Sequence, residues 1–442
     1  MTGQARISFF QDRRAPQRMQ RIFRVVFAGG GTGGHLAPGI ALADELQQQA
    51  PCVVTFFTTG KAVEQKMLKD VSADTVEIPC APPGLGLKKA FRFVFNTVTG
   101  YAKALRELTR RKPHVVIALG GYGALPTAMA AKTLGIPLVV CEQNCVPGRA
   151  TQFLSRWARV CLTQWPVPEY MLHKKCRQLV RGNPTRECVM NGNGQRALRK
   201  LKLDPRKRTL LLVGGSQGAR ALSNWAILNR DLLKGYSQWA QFVIVTGAHG
   251  YQTVAANFRF HDNVRVLEFA HGREMGDLLH AADLVVGRAG ATTISECTSL
   301  GKPMVLVPYP HATDSHQLHN ALYMARAGAA LVYDETHLDA ETWRVAIEGV
   351  LLNDWDRFAM ADQSRHMGKP DAAAMMVREL LRIMGASMVQ EERPRQWLAS
   401  RRLASVHAVM PGPAAALEAH PWGHPGDYAA DLDLPERARR AA

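Results

Sequence analysis

His35 stands directly after a run of glycines, Gly29-Gly30-Gly31-Thr32-Gly33-Gly34. Imidazole is the side chain whose proton equilibrium lies nearest neutrality, so a histidine held at such a turn can take the proton of an attacking hydroxyl. It can equally bind a phosphate oxygen or cap the turn. The glycines carry their own chemistry: they let backbone approach a pyrophosphate, and a helix opening after them offers unpaired amides to an anion. Three further turns of this type follow, Gly120-Gly121-Tyr122-Gly123, Gly214-Gly215-Ser216-Gln217-Gly218 and Gly287-Arg288-Ala289-Gly290. One nucleotide diphosphate needs fewer. Two diphosphates facing each other across a cleft would use them all, unless the Gly120 turn merely packs helix against strand.

Gly29, Gly31 and Gly34 also have the spacing of a dinucleotide fingerprint. A nicotinamide or flavin enzyme, however, wants an acidic residue at the end of the second strand to hold the ribose, and there the chain reads Phe57-Thr58-Thr59-Gly60. No Asp-x-Asp pair occupies a metal position, so a leaving diphosphate would be met by amides and cationic side chains. Cys141 and Cys145 could be half a metal site, but no second pair completes it and they read as structural.

The elements that must position these residues alternate short apolar, β-branched runs with helix-length amphipathic stretches, the pattern of parallel sheets built from βαβ units. Strands are expected at residues 25–28, 53–57, 115–119 and 138–141, then at 210–213, 242–245, 264–267, 284–287 and 304–307, with the first helix starting near Ala37. The two series echo each other. Gly120, Gly123 and Ala124 lead to Leu134-Gly135-Ile136-Pro137; Gly287, Gly290 and Ala291 lead to Leu300-Gly301-Lys302-Pro303. The fold class that follows is α/β, two Rossmann-like domains with parallel sheets facing across a cleft. Expected boundaries are a basic tail at 1–22, a first domain at 23–183, a second at 184–365, a helical stretch at 366–388 packing back on the first, and a disordered Pro/Ala-rich tail at 389–442.

Bulk properties bound the function. The 442 residues are 47% hydrophobic and 21% charged, as in a globular protein of more than one domain. The net charge of +18 attracts polyanions without choosing among nucleic acid, anionic lipid and phosphorylated substrate. No zinc-finger, helix-turn-helix or RNA-binding signature accompanies it, which turns the reading away from nucleic acid. Eight scattered cysteines suit a reducing cytoplasm, and neither a spanning run of ~18 apolar residues nor a signal peptide is present. Between the second and third strands, Leu87, Lys88, Lys89, Phe91, Arg92, Phe93 and Phe95 interleave bulky apolar groups with cations. That is what an interfacial helix needs on an anionic membrane, although the rings could instead face the core.

Taken together, the stretches Ala28-Gly-Gly-Gly-Thr-Gly-Gly-His35, Gly120-Gly-Tyr-Gly123, Glu142-Gln-Asn144, Gly182-Asn-Pro-Thr-Arg186, Gly214-Gly-Ser-Gln-Gly-Ala-Arg220, Arg288-Ala-Gly-Ala-Thr-Thr-Ile-Ser-Glu296 and the segment holding Gln317, Asn320 and Ala321 resemble the MurG family of peptidoglycan N-acetylglucosaminyltransferases. The resemblance runs from about residue 24 to about 384. It implies the GT-B architecture and an inverting transfer of N-acetylglucosamine from UDP-GlcNAc to the 4-hydroxyl of the muramyl sugar in lipid I, giving lipid II. It also implies a division of labour, with the acceptor in the first half and the donor in the second. Donor contacts would come from Thr32, Gly33, Gly34, Asn144, Arg186, Ser216, Ala270, Ala291, Thr292, Thr293, Ile294, Ser295, Glu296, Gln317 and Asn320. Within that set, Ser216 and Arg186 would meet the phosphates, Glu296 the ribose, the backbone at Ala270 the uracil, and Gln317 and Asn320 the sugar hydroxyls. Gly30, Gly31, Gly121, Tyr122 and Gly123 would hold the acceptor, with His35 as base. No cofactor is implied beyond a stimulatory role for magnesium. The implied partners are lipid I, an anionic membrane surface at the cytoplasmic face of the inner membrane, and other cell-wall synthesis proteins. A UDP-sugar epimerase of the same fold, a glycosyltransferase with another lipid acceptor and a non-catalytic membrane scaffold are the competing readings.

Overall fold

An uninterrupted apolar run suits a strand covered on both faces, and the central strands of both halves are of this kind. The computed structural model describes residues 21–30, 33–82, 84, 86–214, 219–247 and 250–385. The expected tails lie outside them, apart from residues 21 and 22. The first sheet contains β1 (Phe23–Ala28), β2 (Cys52–Thr58), β3 (Asp74–Glu77), β4 (Val115–Ala118), β5 (Leu138–Glu142), β6 (Val160–Thr163) and β7 (Arg177–Val180). The second contains β8 (Arg208–Val213), β9 (Ala240–Val245), β10 (Val264–Leu267), β11 (Leu284–Gly287), β12 (Met304–Leu306) and β13 (Ala330–Val332). Their orders are β3-β2-β1-β4-β5-β6-β7 and β10-β9-β8-β11-β12-β13, so the second repeats the first without its last strand. All pairings are parallel.

Successive side chains of a strand point to opposite faces, and here each face meets its own core. Val25 and Phe27 enter one cluster, Val26 and Ala28 the other; in β8, Leu210 and Leu212 are divided in the same way from Leu211 and Val213. Every anticipated strand forms. The four that were not anticipated are short and lie at or next to a sheet edge: β3 is largely exposed, β7 begins on an exposed Arg177, β13 has three residues, and β6, beside β7, is Val-Cys-Leu-Thr.

Eight helices matter for the site: α1 (Gly33–Gln49), α2 (Ala62–Leu68), α3 (Leu87–Arg111), α4 (Leu125–Thr133), α5 (Arg149–Leu154), α6 (Ala291–Leu300), α7 (His316–Arg326) and α8 (Ala372–Ile383). The expectation that the first helix starts near Ala37 is corrected: α1 begins at Gly33 and carries Pro38 inside. Proline lacks the amide hydrogen that would reach back four residues, so the helix continues past Pro38 with the Gly34 carbonyl released from its ladder. α8 returns to the first sheet, burying Met376, Val377 and Leu380 in the cluster that holds Phe23, Val25 and Phe27, and packing along α1.

Candidate active site at the switch points

In both sheets the strand order reverses between two neighbouring parallel strands, β1 and β4 in the first and β8 and β11 in the second. A crevice opens where connections leave to opposite faces, and all four glycine turns follow these four strands. In the first half the two turns touch. Gly29 has φ of +111°, and a β-carbon there would lie 2.8 Å from the Gly120 carbonyl oxygen, so neither the conformation nor the space admits another side chain.

His35 lies against this paired turn. A β-carbon at Gly120 would come 3.3 Å from its Cδ2, and one at Gly121 would come 3.8 Å from its Cε1 and Nδ1. Burial lowers the pKa of His35; the Glu142 carboxylate draws it up and His316, from the second half, pushes it down. Glu142, at the end of β5, is a buried organiser. Its Oε1 accepts from the Gln143 and Asn144 amides and from the Asn144 side chain, and its Oε2 accepts from the Gly148 amide. Its position inside the Glu142-Gln143-Asn144 stretch was visible in the sequence, but its closeness to His35 was not. Gly33 and Gly34 open α1, while Gly31 and Thr32 lie outside the described residues. Gly30 backs onto the buried carboxylate of Glu64, which accepts from the Thr59 and Lys61 amides. Gly121, Tyr122 and Gly123 form the turn before α4, with Lys61 Nζ 5.7 Å from the Tyr122 ring centroid.

In the second half, α6 begins after Gly290 without a side-chain cap, and its first amide with a helical partner is that of Ile294. The amides of Ala291, Thr292 and Thr293 therefore form the open N-terminus, an anion-binding end. Ser216 lies outside the described residues. Ala270 follows β10, next to Phe269, over whose ring Lys66 of α2 sits at 5.5 Å. Glu296 is buried and accepts from Arg186 Nη2 at 3.1 Å, so residues expected at ribose and phosphate form one ion pair. Burial raises the pKa of Glu296 and Arg186 counters it.

Three residues expected at the donor have side chains engaged within the protein. The Ile294 side chain is wholly enclosed in the second core, which leaves its backbone as the part that a donor could meet. The Ser295 hydroxyl donates to the Asn183 carbonyl and meets the Thr185 hydroxyl, tying α6 to the interdomain segment. Asn320, with no exposed surface, accepts from the Cys145 amide at 3.0 Å and donates to Asn144 Oδ1 at 3.1 Å and to the Ala289 carbonyl at 3.2 Å. Its carboxamide joins the two halves. Gln317, three residues earlier, is only half-buried and keeps an amide nitrogen that no described residue takes.

The halves meet at further points. Thr292 Oγ1 donates to the Gly34 carbonyl at 3.0 Å, the carbonyl that Pro38 releases, and Arg149 of α5 lies 3.5 Å from Asp314. All eight thiols are free, and burial pushes Cys141 up to about 12. Among the described residues no group of three or more His, Cys, Asp or Glu side chains could hold a metal ion.

The basic, aromatic segment forms α3. Gly100, Ala104 and Leu108 are its buried positions, whereas Leu87, Phe91, Val94, Phe95 and Val98 are exposed at helical spacing, Leu87 at 91% and Phe91 at 72%. Lys88, Lys89 and Arg92 flank them in solvent, Phe93 is half-buried, and the Phe91 and Phe95 rings stack at 6.1 Å. Among the described residues no helix is long and apolar enough to cross a membrane.

Residues 25–163 match the glycosyltransferase family 28 N-terminal domain and residues 209–376 the glycosyltransferase family 28 C-terminal domain. The chain is 34% identical over 368 residues, covering 81% of it and 99% of its relative, to the UDP-N-acetylglucosamine--N-acetylmuramyl-(pentapeptide) pyrophosphoryl-undecaprenol N-acetylglucosamine transferase of Halalkalibacterium halodurans. It is 33% identical to the Bacillus subtilis enzyme of the same name, covering 80% and 97%. Among solved structures it is similar to Acinetobacter baumannii MurG, with a TM-score of 0.64 and 28% identity over 81% of this chain and 99% of that one. A UDP-N-acetylglucosamine 2-epimerase shares the fold, with a TM-score of 0.62 at 16% identity, covering 85% of this chain and all of its own.

Proposed function

Because this chain belongs to the MurG family of N-acetylglucosamine transferases within glycosyltransferase family 28, we propose that it moves N-acetylglucosamine from UDP to the 4-hydroxyl of the muramyl sugar in lipid I, with inversion. The observation that carries this reading is the position of His35. It sits on the paired glycine turns of the first sheet, whose Gly34 carbonyl is one hydrogen bond from the open N-terminus of α6 in the second. In this reading His35 takes the proton of the acceptor hydroxyl as its oxygen attacks the anomeric carbon, and UDP departs from the opposite face. Charge growing on the departing phosphate is met by the amides of Ala291, Thr292 and Thr293 and by the Ser216 loop. Glu296, oriented by Arg186, takes the ribose hydroxyls. Amides and the Arg186 cation can meet that charge without a bound cation, with a stimulatory role left to magnesium.

The acceptor's lipid tail stays in a bilayer, and the exposed stripe of α3 supports a peripheral seat at the cytoplasmic face, rings in the acyl boundary and cations toward anionic headgroups. The test is UDP release from UDP-GlcNAc with and without a short-chain lipid I analogue, the product identified by mass. Release that requires the acceptor, with a product heavier by one N-acetylhexosamine, is the expected result. A UDP-sugar epimer formed without acceptor, or no turnover in detergent with acceptor present, would overturn it.

A further inference from the structure

Arg288 opens the stretch that ends at Glu296, yet none of the roles above uses its side chain. It follows β11 at the cleft end of the second sheet and is only 12% exposed. Its Nη1 donates to the carbonyls of Val307 and Pro308, each at 3.2 Å, and its guanidinium lies 5.4 Å from the centroid of the Tyr309 ring. The Glu335 carboxylate pairs with it from the segment after β13. One planar cation thus grips three consecutive residues of the loop leaving β12, which a lysine's single ammonium could not reproduce.

The loop holds something in turn. The Tyr309 amide donates to Gln317 Oε1 at 3.0 Å. A carboxamide has one accepting and one donating end, so fixing the oxygen on Tyr309 turns the nitrogen away from the loop. We propose that Arg288 is a positioning residue which, by clamping residues 307–309, sets the Gln317 carboxamide so that it meets the donor sugar only as a hydrogen-bond donor. This rests on the reading of Gln317 as a sugar-binding residue. Selectivity follows from the polarity: a hydroxyl displaced by epimerisation leaves the amide hydrogen unanswered, and the sugar loses a partner it cannot replace inside the cleft.

The experiment uses the full chain, a short-chain lipid I analogue, and UDP-GlcNAc against its C4 epimer UDP-GalNAc. Readouts are KM, kcat, the ratio of kcat/KM for the two donors, and inhibition by UDP. Arg288→Met should raise KM for UDP-GlcNAc and cut the donor ratio by about tenfold while UDP inhibition changes by less than about twofold. Gln317→Glu, which still offers an oxygen to Tyr309 but presents no donor, should do the same, and Arg288→Lys should fall between. If Gln317→Ala leaves the donor ratio intact, the sugar-binding reading fails first. If Gln317→Ala lowers it but Arg288→Met and Arg288→Lys do not, the positioning role is wrong. Parallel loss of UDP inhibition and donor ratio in the Arg288 variants would also overturn the proposal, because it would mark general loop damage. Should Arg288→Met not fold, Arg288→Lys and Gln317→Glu decide the matter alone.

Discussion

A histidine that accepts a proton must first be neutral, and the surroundings of His35 favour that form. Burial is the largest influence and His316 adds to it, while Glu142 opposes both. The acidic limb of the rate profile should therefore lie below the ordinary imidazole value of about 6.5. Activity should be lost only as pH falls through that lowered pKa. Replacing His316 with Asn removes a lowering influence, so the limb should move upward; His35→Gln should abolish it together with most of the turnover. A profile indifferent to His316 would show that the two imidazoles do not sense each other. What was legible at this scale was local: glycine spacing, the histidine after it, the Glu142-Gln143-Asn144 stretch. The capture of Asn320 by Asn144 and Cys145 was not, since those partners lie 176 and 175 residues away and nothing in a local window joins them.

Elements were readable where they repeat a strong pattern and obscure where they lie at an edge. Two-sided apolar runs announced β1, β4 and β8, but β3 and β7 have polar residues to show the solvent and so resemble loops. In α3 the cation–aromatic alternation was plain, yet only the structure separates half-buried Phe93 from exposed Phe91 and Phe95. At Gly100 a β-carbon would stand 2.0 Å from the Pro79 carbonyl oxygen, so α3 crosses the backbone at that point, and the turns before it are mostly exposed. Replacing Leu87, Phe91 and Phe95 together with Ser should lower partition onto anionic vesicles on the order of 100-fold, from about 1 kcal/mol of apolar burial per side chain, without altering thermal stability. Sedimentation with liposomes checks it, and unchanged partition would return the stripe to an ordinary surface.

For the whole molecule, the duplicated sheet order was foreshadowed by the echo between the Gly120 and Gly287 segments, because like sequence at like spacing builds like topology. The return of α8 to the first sheet was expected too, but the side-chain contacts that join the halves were not foreshadowed. Asn320 satisfies three polar groups at that junction, so Asn320→Leu should cost about 2–4 kcal/mol in denaturant unfolding by stranding them away from water. If the residue served the sugar alone, stability would not change and only donor KM would suffer.

The chain passes between its halves twice, once at Gly182 and again just before α8, and the two passages are neighbours. A β-carbon on Gly182, whose φ is +88°, would lie 2.4 Å from Cβ of Lys369 and 3.1 Å from that of Ala372. Two covalent straps drawn through one spot make a pivot: material there can shift least, and lobes tethered side by side can swing apart like a book about its spine but can hardly slide or spin. Substrates entering such a book would come from its open fore-edge, opposite the Gly182 and Lys369 binding.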